Sequence, residues 1–196
     1  MAAKRLGCVG TIAVLFAGAY AIQSVGKGWA DLAYRMNFDD LPPQQRAFCD
    51  LIDSARKDYL AQQAKVESAK NGLVAADLRK SLTLIWQVRK LDLASDVRAW
   101  RLDEWVVDVT TVGETIFGKL SLRGDLNCRG TATFQALLDP TEEVKSMLLP
   151  LRVGEKAKIS GSFIQDGLSF SEVSITEGGS MTAPDFPVTL TSALAD

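Results

Sequence analysis

The chain has no histidine among its 196 residues. That absence removes Ser-His-Asp and Cys-His nucleophile systems, His-ligated zinc, and the side chain that most often acts as a general base near neutral pH. Cysteine is nearly as scarce: Cys8, Cys49 and Cys128 are the only three, too few for a structural zinc site without histidine. No Gly-rich phosphate loop, metal-ligand cluster or nucleophile motif occurs. The chain therefore reads as non-enzymatic, with no cofactor, no metal and no catalytic residue. The enzymatic alternative rests on carboxylates such as Asp108 or Glu172 acting as acid and base, and nothing in the sequence pairs them. Positive charge is missing where nucleic acid would need it. Residues 1–95 carry 13 Lys and Arg against 9 Asp and Glu, whereas residues 96–196 carry 9 against 15. A domain built on phosphate contacts shows the opposite sign.

What is present begins with a leader. Lys4 and Arg5 precede an apolar run from Leu6 to Val25, and Lys27 follows. Ala19 and Ala21 have the A-x-A spacing of a signal-peptidase site. The run is also long enough to span roughly 30 Å of hydrocarbon as a helix. Residues 1–27 are thus a signal peptide or a membrane anchor, and both readings stand. Either way, positive charge before the run keeps the N-terminus cytoplasmic and sends everything after residue 28 across the inner membrane. The expected location is the cell envelope, periplasmic or membrane-anchored, with the membrane itself a partner through residues 6–25 if the leader is retained. Cys8 opens the apolar run rather than following it, so lipidation is set aside.

Residues 28–41 form a polar connector ending in Asp39-Asp40-Leu41-Pro42-Pro43. Prolines after acidic residues suit a helix entrance. The spacing of Phe48, Ile52, Ala55, Tyr59 and Val66 predicts a helix from Gln44 to Lys70, closed by Asn71-Gly72. A second helix is expected from Ala75 to Leu93, with Leu78, Leu82, Ile85 and Val88 as its stripe. Residues 42–95 are therefore a helical region. A hairpin packed on its own β domain is favoured over a coiled-coil partner helix, because the stripe covers few heptads. In an oxidising compartment Cys49 and Cys128 read as a disulfide tying this region to the β part, and two buried thiols are the alternative.

From Trp100 the period changes to two, and residues 96–192 read as a β domain. Trp105, Val107 and Val109 mark a first strand. Val112-Gly113-Glu114 turns into a second strand, Thr115 to Leu122, with Ile116, Gly118, Leu120 and Leu122 on one face. Arg123-Gly124-Asp125 turns again into a third strand, Leu126 to Ala136. Asp139-Pro140-Thr141-Glu142-Glu143 starts a short helix, Thr141 to Leu149. A fourth strand, Lys156 to Ile164, is joined by an Asp166-Gly167 type I′ hairpin to Leu168–Ile175, and Phe186 to Thr191 adds a last short strand. Gly161 in mid-strand signals a bulge or close backbone approach. Gly178-Gly179 is expected to supply positive φ for a turn. Ser160, Ser174 and Thr176 are expected to satisfy backbone groups.

Three strands, a short helix and a further hairpin is the element order of an OB-fold, a small Greek-key barrel. Leu151-Arg-Val-Gly154-Glu155, Ile159-Ser160-Gly161-Ser162-Phe163, Glu172-Val-Ser174-Ile-Thr176-Glu177-Gly178-Gly179-Ser180-Met181 and Pro184-Asp185-Phe186 resemble the tRNA_anti-like group of bacterial OB-fold proteins. The resemblance covers residues 42–192 and is most specific over 151–187. It implies a mainly β, five-stranded OB-fold-like barrel preceded by a helical hairpin, in a group often exported or lipid-anchored. Fold alone does not assign function. The expectation is an envelope-located, non-enzymatic binding or scaffold module with a protein or peptide partner. The alternative is a single-stranded nucleic-acid-binding OB-fold protein, for which strands 2 and 3 offer Phe117, Lys119, Arg123 and Arg129. Phe117 and Lys119 are taken to share a face, as are Arg129 and Thr131, and Phe134 is assigned to the core.

Overall fold

The computed structural model describes residues 38–95, 101–167, 169–174 and 176–196. The leader and most of the connector lie outside the described residues. The chain divides into units 1–40 and 41–196, and every element named below belongs to the second. No helix among the described residues is long and apolar enough to cross a membrane.

Helix α1 spans Pro43–Ser68, with proline at its entrance. Helix α2 spans Gly72–Ser95. Between them Asn71 caps α2, its Oδ1 accepting from the Leu73 N–H at 2.8 Å. The two run antiparallel, and Gln62 Nε2 donates to Leu78 O across the pair. Phe48, Cys49, Ile52 and Tyr59 are buried on α1, a three-, four- and seven-residue spacing that gives the helix one apolar face. On α2 the inward face is Ala75, Leu82, Arg89 and Leu93. Tyr59, Leu82 and Met181 form a cluster with Ala55, Val66, Ile85 and Trp86 packed against it. The stripe expected of a hairpin thus packs within this chain, except for Val88, which is largely exposed.

The remaining elements are β1 (Arg101–Glu114), β2 (Leu120–Asp125), β3 (Thr133–Leu138), α3 (Glu142–Leu148), β4 (Lys156–Phe163), β5 (Gln165–Asp166), β6 (Ser169–Phe170), α4 (Glu177–Thr182) and β7 (Asp185–Ala195). Strands β1-β2-β3-β7-β4 close into a barrel. Every pairing is antiparallel except β3 with β7. Trp105, Val107 and Val109 alternate inward along β1, and Phe134, Ile159, Phe163, Phe186 and Val188 meet them from the other strands. Phe48 of α1 stacks on Phe163 at 5.1 Å and lies 5.3 Å from Trp105. The helical hairpin therefore contributes an aromatic ring to the barrel core.

Several sequence expectations are corrected. Residues 115–119 are a turn rather than the start of β2: the Thr115 N–H donates to Lys119 O, and Gly118 has φ 74°. Ile116 and Phe117 point outward from it, which removes the shared face proposed for Phe117 and Lys119. Arg123-Gly124-Asp125 lies within β2, not at a turn. A Cβ on Gly124 would sit 2.6 Å from both Asp108 O and the Phe134 ring, so the glycine lets that ring lie against the strand. Residues 126–132 form a loop, and Arg129 and Thr131 do not share a strand face. The hairpin after Asp166 is two residue pairs long, and the fifth barrel strand is Asp185–Ala195. Strand β4 already has β1 on one edge and β7 on the other, so a long 168–175 partner has no edge to join. Gly178 and Gly179 lie in α4, capped by Thr176, whose Oγ1 accepts from the Gly179 N–H at 3.1 Å. Gly161 marks a register shift, where a Cβ would meet Thr189 O at 2.1 Å.

Candidate functional site

Strand direction gives the barrel two distinct ends. The loop 126–132 and the described segments 164–167, 169–174 and 176–184 lie at one end with α1, and the turn 115–119 and α3 lie at the other.

At the hairpin end the chain is tied down by polar and covalent contacts. Gln45 is fully buried; its Nε2 donates to Val106 O at 2.7 Å and Leu126 O at 2.9 Å, and its Oε1 accepts from Val106 N. Cys49 and Cys128 are bonded, with an S–S distance of 1.99 Å. Asp53 accepts from Arg129 at 2.6 Å and Lys57 at 2.7 Å. A second network joins α2 to the segment before β7. Arg89 donates to Glu172, to Ser180 Oγ and to Ser180 O, and Ser180 Oγ also donates to Glu172 and accepts from Trp86 Nε1. Arg89 and Ser180 are buried, as is the carboxylate of Glu172. A serine held between an arginine and a carboxylate invites a nucleophile reading, but the serine is only 3% exposed. Its surroundings are those of a buried ion pair in which both terminal nitrogens of Arg89 are bonded, while the Arg89 Nε has no hydrogen-bond partner among the described residues. Nearby, burial first and the Glu177 carboxylate second raise the Tyr59 hydroxyl pKa.

The other end is different. Helix α3 starts at Thr141, whose hydroxyl accepts from the Val144 N–H, with Glu142 and Glu143 in its first turn. That arrangement suits a helix N-terminus. Leu148 and Leu151 are buried beneath it. Val112, Leu120, Leu148, Leu149, Leu151 and Val153 line a cleft of about 540 Å³, with Lys145 on its edge. Beside it the 115–119 turn carries Ile116 at 94% exposure and Phe117 at 85%, and Leu149 is 80% exposed. Surface Ile, Phe and Leu grouped around an apolar cleft mark a docking surface far more than scattered apolar residues do. The surrounding segments, residues 112–120 and 139–155, carry Glu114, Asp139, Glu142, Glu143 and Glu155 against Lys119, Lys145 and Arg152.

The residues singled out in the sequence are not brought together. Phe117 is at the exposed turn. Lys119 pairs with Asp139. Arg123, on β2, pairs with Asp185 at 2.8 Å, and Arg129 pairs with Asp53 at the hairpin end. Each of the three cations faces a carboxylate, and the one aromatic among the four sits beside apolar neighbours. Asp108 and Glu172 are also apart: Asp108 sits opposite Lys156, and Glu172 opposite Arg89. Among the described residues no group of three or more His, Cys, Asp or Glu can hold a metal ion. Sequence reasoning found Phe117 but missed Leu149, Val153 and the cleft. Leu149 is the C-cap of α3, and its exposure beside buried Leu148 becomes visible only in the folded chain. No protein-family model matches the chain, and comparisons with curated proteins and with solved structures also return no match.

Proposed function

We propose that the chain is an envelope-located, non-enzymatic binding or scaffold module that presents the α3 end of its barrel to a protein or peptide partner. The observation that carries this is the apolar cleft flanked by outward-facing Ile116, Phe117 and Leu149. A solvated cleft of this kind is stabilised when a partner's apolar side chains displace its water. The strand order, with one parallel closure between β3 and β7 and a helix between β3 and β4, fits an OB-like barrel. The resemblance to the tRNA_anti-like group supports the same fold. Location outside the cytoplasm is supported by the leader and by the Cys49–Cys128 bond, since such bonds persist in oxidising compartments.

Two measurements in living cells test the reading. Thiol alkylation of rapidly quenched cells should find Cys49 and Cys128 protected until reductant is added; free thiols would overturn the envelope assignment. A photo-crosslinker at position 117 should give a discrete adduct with a second protein, whereas one at Leu194, exposed on the barrel wall, should not. Equal labelling from both positions would overturn the docking assignment.

A further inference from the structure

The outer face of the helical hairpin carries a second apolar feature, separate from the cleft. Leu84, Val88 and Leu91 of α2 are 58%, 46% and 65% exposed. Their spacing of four and three residues puts them on one stripe of the helix. Leu51 and Ala55 of α1, with Leu84, Ile85 and Val88 of α2, line a groove of about 390 Å³ between the helices. Ser54, Asp58, Asp92 and the buried Arg89 complete its lining. The helices are antiparallel, so these carboxylates fall at opposite ends: Asp58 level with Leu84, Asp92 level with Leu51. From Leu84 to Asp92 along α2 is about 12 Å at a rise of about 1.5 Å per residue, or roughly two turns.

Charge decides what fits there. Asp58 and Asp92 have no ion-pair partner among the described residues. The neighbouring cations are committed elsewhere: Lys57 to Asp53, Lys80 to Asp77, Lys90 over the Trp86 ring at 4.6 Å, and buried Arg89 to Glu172. Arg56 lies on the inward face of α1 with Ile52 and Tyr59 by helical spacing. The exposed walls of the groove are thus mainly apolar, with its one lining cation, Arg89, buried against Glu172, and it is negative at both ends. A third helix laid between two antiparallel helices meets them through side chains at i, i+3 or i+4 and i+7. We propose that this groove docks an amphipathic helix from another protein, with apolar residues at that spacing and a Lys or Arg at each end, about two turns apart. The basic residues face Asp58 and Asp92, and the apolar stripe covers Leu84, Val88 and Leu91.

The test uses the full-length chain and two synthetic helical peptides. Both carry leucines at i, i+4 and i+7; one has Lys at its ends and the other Glu. Fluorescence anisotropy should show saturable binding of the Lys-ended peptide. The Asp58→Lys, Asp92→Lys double variant should weaken it about tenfold or more, because like charges then face each other. Val88→Asp should abolish it, and Leu149→Asp, in the cleft at the far end, should leave it unchanged. Circular dichroism checks that each variant stays folded; both substituted positions are exposed, so the charge-reversed pair stands as the second route if Val88→Asp fails to fold. Equal binding of the Glu-ended peptide, insensitivity to Asp58 and Asp92, or no binding at all would overturn the proposal. Sedimentation showing that the chain dimerises through this groove would overturn it too, because a second copy would then be the occupant.

Discussion

At the hairpin end of the barrel, Phe48 inserts among Trp105, Phe163, Phe170 and Phe186, Gln45 satisfies three backbone groups, and a disulfide and a buried ion pair hold neighbouring segments. At the α3 end, Leu148 and Leu151 are buried while Ile116, Phe117, Leu149 and Val153 face outward. The same barrel thus has one end where side chains are spent on its own stability and one where they are left available. Contacts at the first end are specific, buried and long-range. At the second, Leu148 and Leu151 are buried, but the exposed Ile116, Phe117, Leu149 and Val153 gain little from folding. Stability and binding are therefore separable in this molecule, and substitutions at the two ends should have different consequences.

The largest contrast is expected from Phe48→Ala set against Leu149→Ala. Removing the buried ring should destabilise by about 3–5 kcal/mol, whereas truncating the exposed leucine should stay within about 0.5 kcal/mol. Denaturant midpoints measure both, and similar shifts would erase the distinction between the ends. Next is Glu172→Ala, which leaves the buried Arg89 guanidinium uncompensated and should cost about 3–5 kcal/mol. The Arg89→Met, Glu172→Leu double variant should recover most of that loss; if it does not, hydrogen bonds to Ser180 carry the network. Reduction of Cys49–Cys128 should cost roughly 2–4 kcal/mol, read as a fall in unfolding midpoint with reductant, with crosslinking from position 117 unaffected in the protein that stays folded.

Two smaller effects sharpen the comparison. Ile116→Ser with Phe117→Ser should leave the midpoint within about 0.5 kcal/mol of the parent while removing the crosslinked partner. Loss of stability instead would mean that the turn packs on its own barrel. The smallest effect concerns Asp125, whose carboxyl pKa is raised, first by burial and then by the nearby Asp108 carboxylate, against the Asn127 N–H that lowers it. The folded state then binds this proton more tightly than the unfolded chain does. Its contribution is fully present below the ordinary Asp range and is lost as pH rises through the raised value. Asp125→Asn should therefore gain on the parent as pH rises from acid to neutral, in midpoints taken across that range. A constant difference would show that the carboxyl titrates alike in both states.

Helices α1 and α2 were legible from their 3.6-residue stripes, with Pro42-Pro43 marking an entrance and Asn71-Gly72 the break between them, and α3 from Thr141-Glu142-Glu143; α4 was not, because Gly178-Gly179 reads locally as a turn. The first strand was legible from Trp105, Val107 and Val109. The β1–β2 boundary was not, because Ile116 and Phe117 continue an apolar pattern that burial would ordinarily explain, yet they lie in an exposed turn. The fifth strand was hidden by Asp166-Gly167: a strong local turn signal suggested a long hairpin, but non-local pairing of β4 with β7 occupies the edge it would need. The Asp185–Ala195 segment looked short because Ser192 breaks the apolar alternation of Phe186, Val188 and Leu190. The cleft was illegible for a related reason, since Val112, Leu120 and Leu151 come from three separated segments. A feature made by barrel closure has no signature in any one stretch of chain.

The parallel pairing of β3 with β7 has a consequence for how the protein is made. Strand β7 is synthesised after every other strand, and it forms one edge partner for β3 and one for β4. Until it emerges, a nascent chain holds two unpaired strand edges and lacks Phe186 and Val188 from its core. Such edges recruit any other extended segment nearby. A ribosome stalled before Asp185 would yield a product prone to aggregation rather than a partly working domain.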